Sequence, residues 1–152
     1  TLGTLHDKLK KIGAKGLEKA IDLIESGKVI AEKQDESLVT FVKPISKEQE
    51  IIDWSDTKEN IYNKIRGLNP FPGALSYYDD QIIKVYLSEK IDKEYDGEYG
   101  EVVEIINKKG PVVKVKNGGI ILKEVKFQGK KSQSGIDIIN GRKIILNRKF
   151  GK

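Results

Sequence analysis

Two prolines one residue apart, in Asn69-Pro70-Phe71-Pro72-Gly73, most restrict what this chain can fold into. Each proline fixes its own φ, lacks an N–H, and pushes the preceding residue out of the helical region. No helix and no central strand can run through such a segment. Before it, Ile61, Ile65 and Leu68 recur at helical spacing with Tyr62 beside them. After it, apolar residues fall into short runs between turn residues. A helix over 55–67 is predicted, with Ser55 as N-cap because its hydroxyl can accept a bond from a first-turn N–H. Gly67 can take the left-handed C-terminal position, and Pro70 forbids continuation. Arg66, in the last turn, suits the negative end of the helix dipole. Trp54, the single tryptophan, is expected to anchor the helix to a core, and Asn69, Pro70 and Pro72 to shape a stiff, extended exit.

The rest of the C-terminal part reads as strands. Ala74–Tyr78 and Gln81–Ile91 flank Asp79-Asp80, a tight hairpin turn. Tyr99–Ile106 runs to the turn Asn107-Lys108-Lys109-Gly110. In Pro111–Lys116, Val113 and Val115 alternate with Lys114 and Lys116, and Asn117-Gly118-Gly119 is a strong hairpin signal. Ile120–Phe127 completes the set. Ser134 and Asp137 have the spacing of a capping box and predict a short helix over 135–140, ended by Asn140-Gly141. Short strands with Gly and Asn turns and one inserted helix predict a mainly β fold, a small open barrel of the oligonucleotide-binding kind.

The N-terminal part is different. Residues 4–26 read as helix, broken near Gly13-Ala14-Lys15-Gly16 into a pair. Leu5, Leu9 and Ile12 form one apolar face; Leu17, Ala20, Ile21 and Ile24 form the next. Ser26-Gly27 is a stop signal. One strand is predicted at Leu38–Val42, ended by Pro44. Lys43-Pro44-Ile45-Ser46-Lys47-Glu48 has the composition of a linker and marks a boundary between residues 1–43 and 44–152.

Charge is distributed unevenly. The chain carries net +5. Residues 129–152 hold Lys130, Lys131, Arg142, Lys143, Arg148, Lys149 and Lys152 against Asp137, a net of +6, which leaves about −1 for the other 128 residues. A basic end on a near-neutral body suits a polyanion. Lysine and arginine neutralise phosphates without reading base sequence, and an A-form stem is recognised largely through its backbone and 2′-hydroxyls. Aromatics near the tail are sparse, with Phe127 and Phe150 flanking it, which argues against single-strand binding of the usual oligonucleotide-barrel kind. The same tail could equally be a solvated basic terminus.

Constellations for catalysis do not emerge. His6 is the single histidine, on a charged helix without a metal-ligand partner. Asp79-Asp80 and Glu101/Glu104 are explained as turn and strand-surface residues, and Ser132 and Ser134 lack a nearby base. Gly118-Gly119 opens no helix and so is no phosphate cradle. With no cysteine there are no disulfides and no thiol chemistry, which fits a reducing cytoplasm. No apolar run is long enough to cross a bilayer. The lack of methionine leads us to expect a processed chain or part of a longer one.

Ile52-Asp53-Trp54-Ser55 followed by Arg66-Gly67-Leu68-Asn69-Pro70-Phe71-Pro72-Gly73-Ala74 resembles the signature that opens the C-terminal domain of the methionyl-tRNA formyltransferases. Thr4-Leu5-His6-Asp7-Lys8-Leu9, Gln34-Asp35-Glu36-Ser37-Leu38-Val39-Thr40 and Gly129-Lys130-Lys131 agree with that family in the same order. The resemblance implies that residues 1–43 are the trailing helices and connector of an absent N-terminal formyltransferase domain, and that residues 44–152 are a tRNA-binding C-terminal barrel. The alternative is that the helices pack on the barrel of this same chain. The family transfers a formyl group from 10-formyltetrahydrofolate to the α-amine of methionine on initiator tRNA. Its catalytic Asn, His and Asp and its Ser-Leu-Leu-Pro motif belong to the N-terminal domain, and nothing here matches them. The resemblance thus implies a chain without catalysis of its own, binding no cofactor or metal, with the absent domain and initiator methionyl-tRNA as partners. Its RNA-binding candidates are Lys130, Lys131, Arg142, Lys143, Arg148 and Lys149 in the tail. The family's basic linker adds Lys43 and Lys47, although Glu48 and Glu50 stand beside them. Relatives that act on a sugar nucleotide or a folate, and a nonenzymatic dimerisation or docking module, are the alternatives.

Overall fold

The computed structural model describes residues 1–151, which divide into two compact units, Gly3–Ile45 and a second from Ser46 onward that also takes in Thr1 and Leu2. In the first, helix α1 (Leu2–Glu25) runs without interruption and buries none of its residues. The expected break at Gly13–Gly16 is absent. Glycine inside a helix costs ~1 kcal/mol relative to alanine, which weakens a helix without ending it. The stop lies at Gly27, where φ is 66°. There the Gly27 and Lys28 N–H groups donate to Ile24 O and Leu23 O at 3.1 and 3.0 Å, satisfying the last carbonyls in a Schellman arrangement.

The predicted strand at Leu38–Val42 does not form. Asp35 accepts from the N–H and hydroxyl of Ser37 at 2.9 and 2.7 Å and caps a 3₁₀ turn, Glu36–Leu38. The extended residues beyond it find no partner strand, and Phe41 stands 94% exposed. A strand without a ladder leaves its backbone groups to water.

The second unit opens with a short helix, α2 (Lys47–Glu50), inside the stretch expected to be a linker. Gln49 Oε1 accepts from the Ser46 N–H at 2.8 Å, the reciprocal bond of a capping box. Helix α3 (Lys58–Leu68) buries Ile61, Ile65 and Leu68. Its N-cap is Thr57, whose hydroxyl accepts from the Asn60 N–H at 3.3 Å, and not Ser55. The N–H and hydroxyl of Ser55 both donate to Asp53 Oδ1, at 2.9 and 2.7 Å, in a side-chain turn that occupies the hydroxyl before the helix begins. Gly67 lies inside the helix. The helix ends instead on Asn69 in an extended conformation, and the positive φ comes later, on Gly73, at 86°, whose N–H donates to Leu68 O at 2.8 Å.

The sheet is antiparallel, in the order β1-β2-β5-β4-β3, with β6 paired to β5. Strands β1 (Ala74–Tyr78) and β2 (Gln81–Ile91) turn at Asp79-Asp80, both at positive φ as a type I′ hairpin requires. Strands β3 (Val102–Ile106), β4 (Gly110–Val115) and β5 (Gly118–Phe127) follow as hairpins, the second turning through Asn117 at φ 61°. β6 (Gln133–Ser134) leads into α4 (Gly135–Asn140). The Ser134 hydroxyl accepts from the Asp137 N–H and Asp137 accepts from the Ser134 N–H, both at 3.2 Å.

The two outer strands, β1 and β3, are not paired with each other. The C-terminal segment laces across them instead. Isolated bridges join Tyr78 to Phe150 and Glu101 to Lys149. Phe150 N–H donates to Gly100 O at 2.8 Å, and Gly151 N–H to Tyr77 O at 3.0 Å. The Phe150 ring, 1% exposed, packs 5.3 Å from Trp54 and 4.7 Å from Tyr78, centroid to centroid. Trp54 Nε1 donates to the buried Ser76 hydroxyl at 2.9 Å. Ile65, Ile83, Val125 and Ile138 belong to the same core. The fold is the mainly β, open-barrel arrangement with an inserted helix, preceded by one helix in place of the expected pair.

Candidate nucleic-acid interface

The tail cations separate into distinct groups. Lys130 and Lys131 lie exposed in the connection between β5 and β6. Lys143 reaches back across α4 to place Nζ 2.7 Å from Gln133 Oε1, which brings Arg142 and Lys143 beside that connection. Among the described residues, the side chains of Lys130, Lys131 and Arg142 have no hydrogen-bond or ion-pair partner. The nearby carboxylates are engaged: Asp137 holds Ser134, and Glu124 accepts from the Ser132 hydroxyl at 2.5 Å. The bonds from Ser134, with a smaller contribution from the Lys143 charge, hold the Asp137 carboxyl below its usual range.

Arg148 and Lys149 sit on the lacing segment and are differently placed. Arg148 lies 3.6 Å from Asp79 Oδ1, and Lys149 Nζ lies 2.5 Å from Glu98 Oε2. The hydrogen bond from Lys149 depresses the Glu98 carboxyl. Lys43 belongs to the first unit and is exposed. Lys47, at the start of α2, stands elsewhere, at the rim of a groove.

That groove, of about 830 Å³, lies between the Pro70–Pro72 loop and the outer face of β1, β2 and β5. Phe71, Tyr77 and Tyr86 supply aromatic surface, Lys47, Lys84 and Lys126 supply positive charge, and Glu48 and Glu50 supply negative charge. Asn69 Nδ2 donates to Tyr86 O at 2.7 Å, fixing the loop to β2. Both Asn69-Pro70 and Phe71-Pro72 are cis peptides. Asn69, Pro70 and Pro72 are expected from sequence to be structural, but the aromatics they position are not among the expected site residues. The signal was there: Lys84 and Tyr86 share one face of a period-two strand, and a phenylalanine between two prolines has no apolar periodicity that would carry it inward. Arg66 is exposed and its Nε donates to Asn63 Oδ1 at 2.8 Å.

Among the described residues, no cluster of three or more His, Cys, Asp or Glu side chains could hold a metal ion, and no helix is long and apolar enough to cross a membrane. His6 Nδ1 lies 3.3 Å from its neighbour Asp7 on the exposed helix.

The model of the family described as formyl transferase, C-terminal domain, matches residues 44–143. The chain belongs to that family. Similar proteins include the methionyl-tRNA formyltransferases of Fusobacterium nucleatum, 48% identical over 99% of this chain, of Bacillus cytotoxicus, 40% over 100%, and of Bacillus subtilis, 41% over 92%. The chain spans about half the length of these curated relatives: 49%, 48% and 44%. Among solved structures, HypX from Aquifex aeolicus shares the fold of this formyl transferase domain. One of its variants has a TM-score of 0.67 at 16% identity, over 83% of this chain and 22% of HypX. Its complex with tetrahydrofolic acid has a TM-score of 0.65 at 17% identity, over 81% and 22%.

Proposed function

We propose that this chain is the tRNA-holding part of a methionyl-tRNA formyltransferase in the cytoplasm. In that reading it contacts the phosphate backbone and orients the acceptor arm, while formyl transfer to the methionine α-amine takes place on the other half of the enzyme. The carrying observation is that Lys130, Lys131 and Arg142 are exposed and unpartnered among the described residues, the first two in the β5–β6 connection and Arg142 next to Lys143, which bonds Gln133, while neighbouring carboxylates are hydrogen-bonded. Free cations of this kind release counterions when they meet phosphates, an interaction indifferent to base sequence. Relatives named for a tRNA substrate, matched over nearly the whole chain, support tRNA as the polyanion.

Helix α1 supports a two-part enzyme. Leu5, Leu9 and Ile12 on one face, and Leu17, Ile21 and Ile24 on the next, are exposed along a 24-residue helix, apolar surface that a helix ordinarily buries. The N-terminal domain of the parent enzyme is the proposed cover, with residues 1–43 as its trailing part.

The residues of this chain do not fit 10-formyltetrahydrofolate. A pterin ring is held by several convergent buried donors and acceptors; among the described residues Ser76 is buried but already bonds Trp54, and the unpartnered buried oxygen, Ser88 Oγ, is a single hydroxyl. The cofactor is assigned to the other half, and no step is routed through it.

Initiator and elongator tRNA should bind this chain alike, with affinity falling steeply as salt is raised. Failure of either tRNA to bind at low salt would refute the reading and favour relatives acting on small substrates.

A further inference from the structure

The groove beside the Pro70–Pro72 loop is built in a way that phosphate binding at the basic end does not require. Phe71 is 79% exposed, yet its loop is anchored on both sides and beneath. Asn69 Nδ2 holds Tyr86 O, Gly73 N–H holds Leu68 O at 2.8 Å, and Lys84 Nζ donates to Pro72 O at 2.5 Å. A Cβ at Gly73 would lie 2.9 Å from the Tyr86 ring, so glycine alone lets the loop lie against that tyrosine. The loop that carries the exposed ring is therefore held in place before any partner arrives, which lowers the ordering cost of binding.

Charge around these rings is mixed, Lys47, Lys84 and Lys126 against Glu48 and Glu50, and its cationic excess points to one class of partner. Lys84 and Lys126 are directly opposed across β2 and β5, an arrangement of like charges that destabilises a sheet. Glu50 lies 3.8 Å from Lys84, while Lys126 has no side-chain partner among the described residues. The floor of the groove continues through Phe127 and Gln128 into the turn that carries Lys130, whose N–H donates to Phe127 O at 3.0 Å. A polyanion following the basic end is thus led into aromatic surface.

We propose that this groove takes an unpaired segment of the bound RNA, with bases stacked on Phe71 and Tyr86 and phosphates met by Lys126 and Lys47. The inference rests on the RNA reading above and adds a second, single-stranded element to it. Aromatic faces beside a cationic track are how single strands are held without base readout. The volume of about 830 Å³ lies within the range of roughly 300–1,000 Å³ typical of ligand pockets.

The test compares a blunt RNA hairpin with the same hairpin carrying a short unpaired extension, the extension containing 2-aminopurine. Stacking of one base should make the extended probe bind about 5- to 150-fold more tightly than the blunt one and quench its fluorescence. Phe71→Ala should bring the ratio of the two affinities close to one. Because Phe71 is exposed, an unchanged melting temperature verifies the fold, and Lys126→Ala should reduce the same ratio by an independent route. Equal affinities in the unsubstituted chain, or a ratio insensitive to Phe71→Ala, would overturn the inference and assign the groove to a protein segment, with the RNA reading intact. A blunt hairpin that fails to bind at low salt would instead defeat the RNA reading on which the inference stands.

Discussion

Removing the three unpartnered cations should change the salt dependence of tRNA binding more than removing the two paired ones. Each phosphate neutralised contributes about 0.7 to 0.9 to the slope of log K against log salt. Lys130→Ala, Lys131→Ala and Arg142→Ala together should therefore flatten that slope by roughly 2.1 to 2.7 if each meets one phosphate. Between 50 and 200 mM salt, the unsubstituted chain would lose about 20- to 40-fold more affinity than the triple variant. Arg148 and Lys149 are already neutralised by Asp79 and Glu98, so replacing both should change the slope by less than about one. Fluorescence anisotropy of labelled tRNA over a salt series measures both slopes. A double variant that flattens the dependence more than the triple variant would refute the assignment of the phosphate face. It would move that face to the lacing segment.

Other expectations concern the scaffold. Thr57→Ala should cost ~1 kcal/mol by loss of the α3 cap; an equal loss from Ser55→Ala in urea denaturation would contradict the observed capping. Phe150→Ala should destabilise the barrel by about 3–5 kcal/mol, read from the unfolding midpoint and from the near-ultraviolet signal of Trp54; a loss below about 1 kcal/mol would mean that the lacing segment is dispensable. Acid should weaken the fold. The Glu104 carboxylate is held low by bonds from Lys93 and Tyr95, at 2.8 and 2.7 Å, and Glu98 by Lys149. Groups whose folded pKa is depressed stabilise above the unfolded value and lose that stabilisation as pH falls through the folded one. The melting temperature should hold above about pH 4.5 and fall below it, with a smaller fall in Glu104→Gln.

Local chemistry made much of this barrel legible. Asp79-Asp80, Asn117-Gly118 and the Ser134/Asp137 box lie where their side chains or backbones permit the required turn, and the structure uses each of them. Ser46 and Gln49 carried the same kind of signal, in a segment whose charges suggested a linker. The error at Ser55 has a different origin. Two hydroxyls two residues apart could each have capped α3, and Asp53 decided between them by occupying one. Leu38–Val42 had strand-like residues, but a strand exists only through its partner. The pairing of Arg148 with Asp79 and of Lys149 with Glu98 depends on segments far apart in the chain, so no count of charges along it could show which cations remain free. The groove was legible only in fragments, for a related reason. Its aromatics come from a loop and two strands, and only the sheet register brings them together.

The lacing of β1 to β3 also makes the barrel's edges depend on a segment outside every strand of the sheet. Every strand of the barrel, and α4 as well, precedes Asn147 in the chain. The ladders between strands therefore do not need Phe150, whereas the slot beside Trp54 and Tyr78 does. A chain truncated before that residue would present an aromatic slot and two less protected strand edges, and edges of that kind are templates for pairing with another chain.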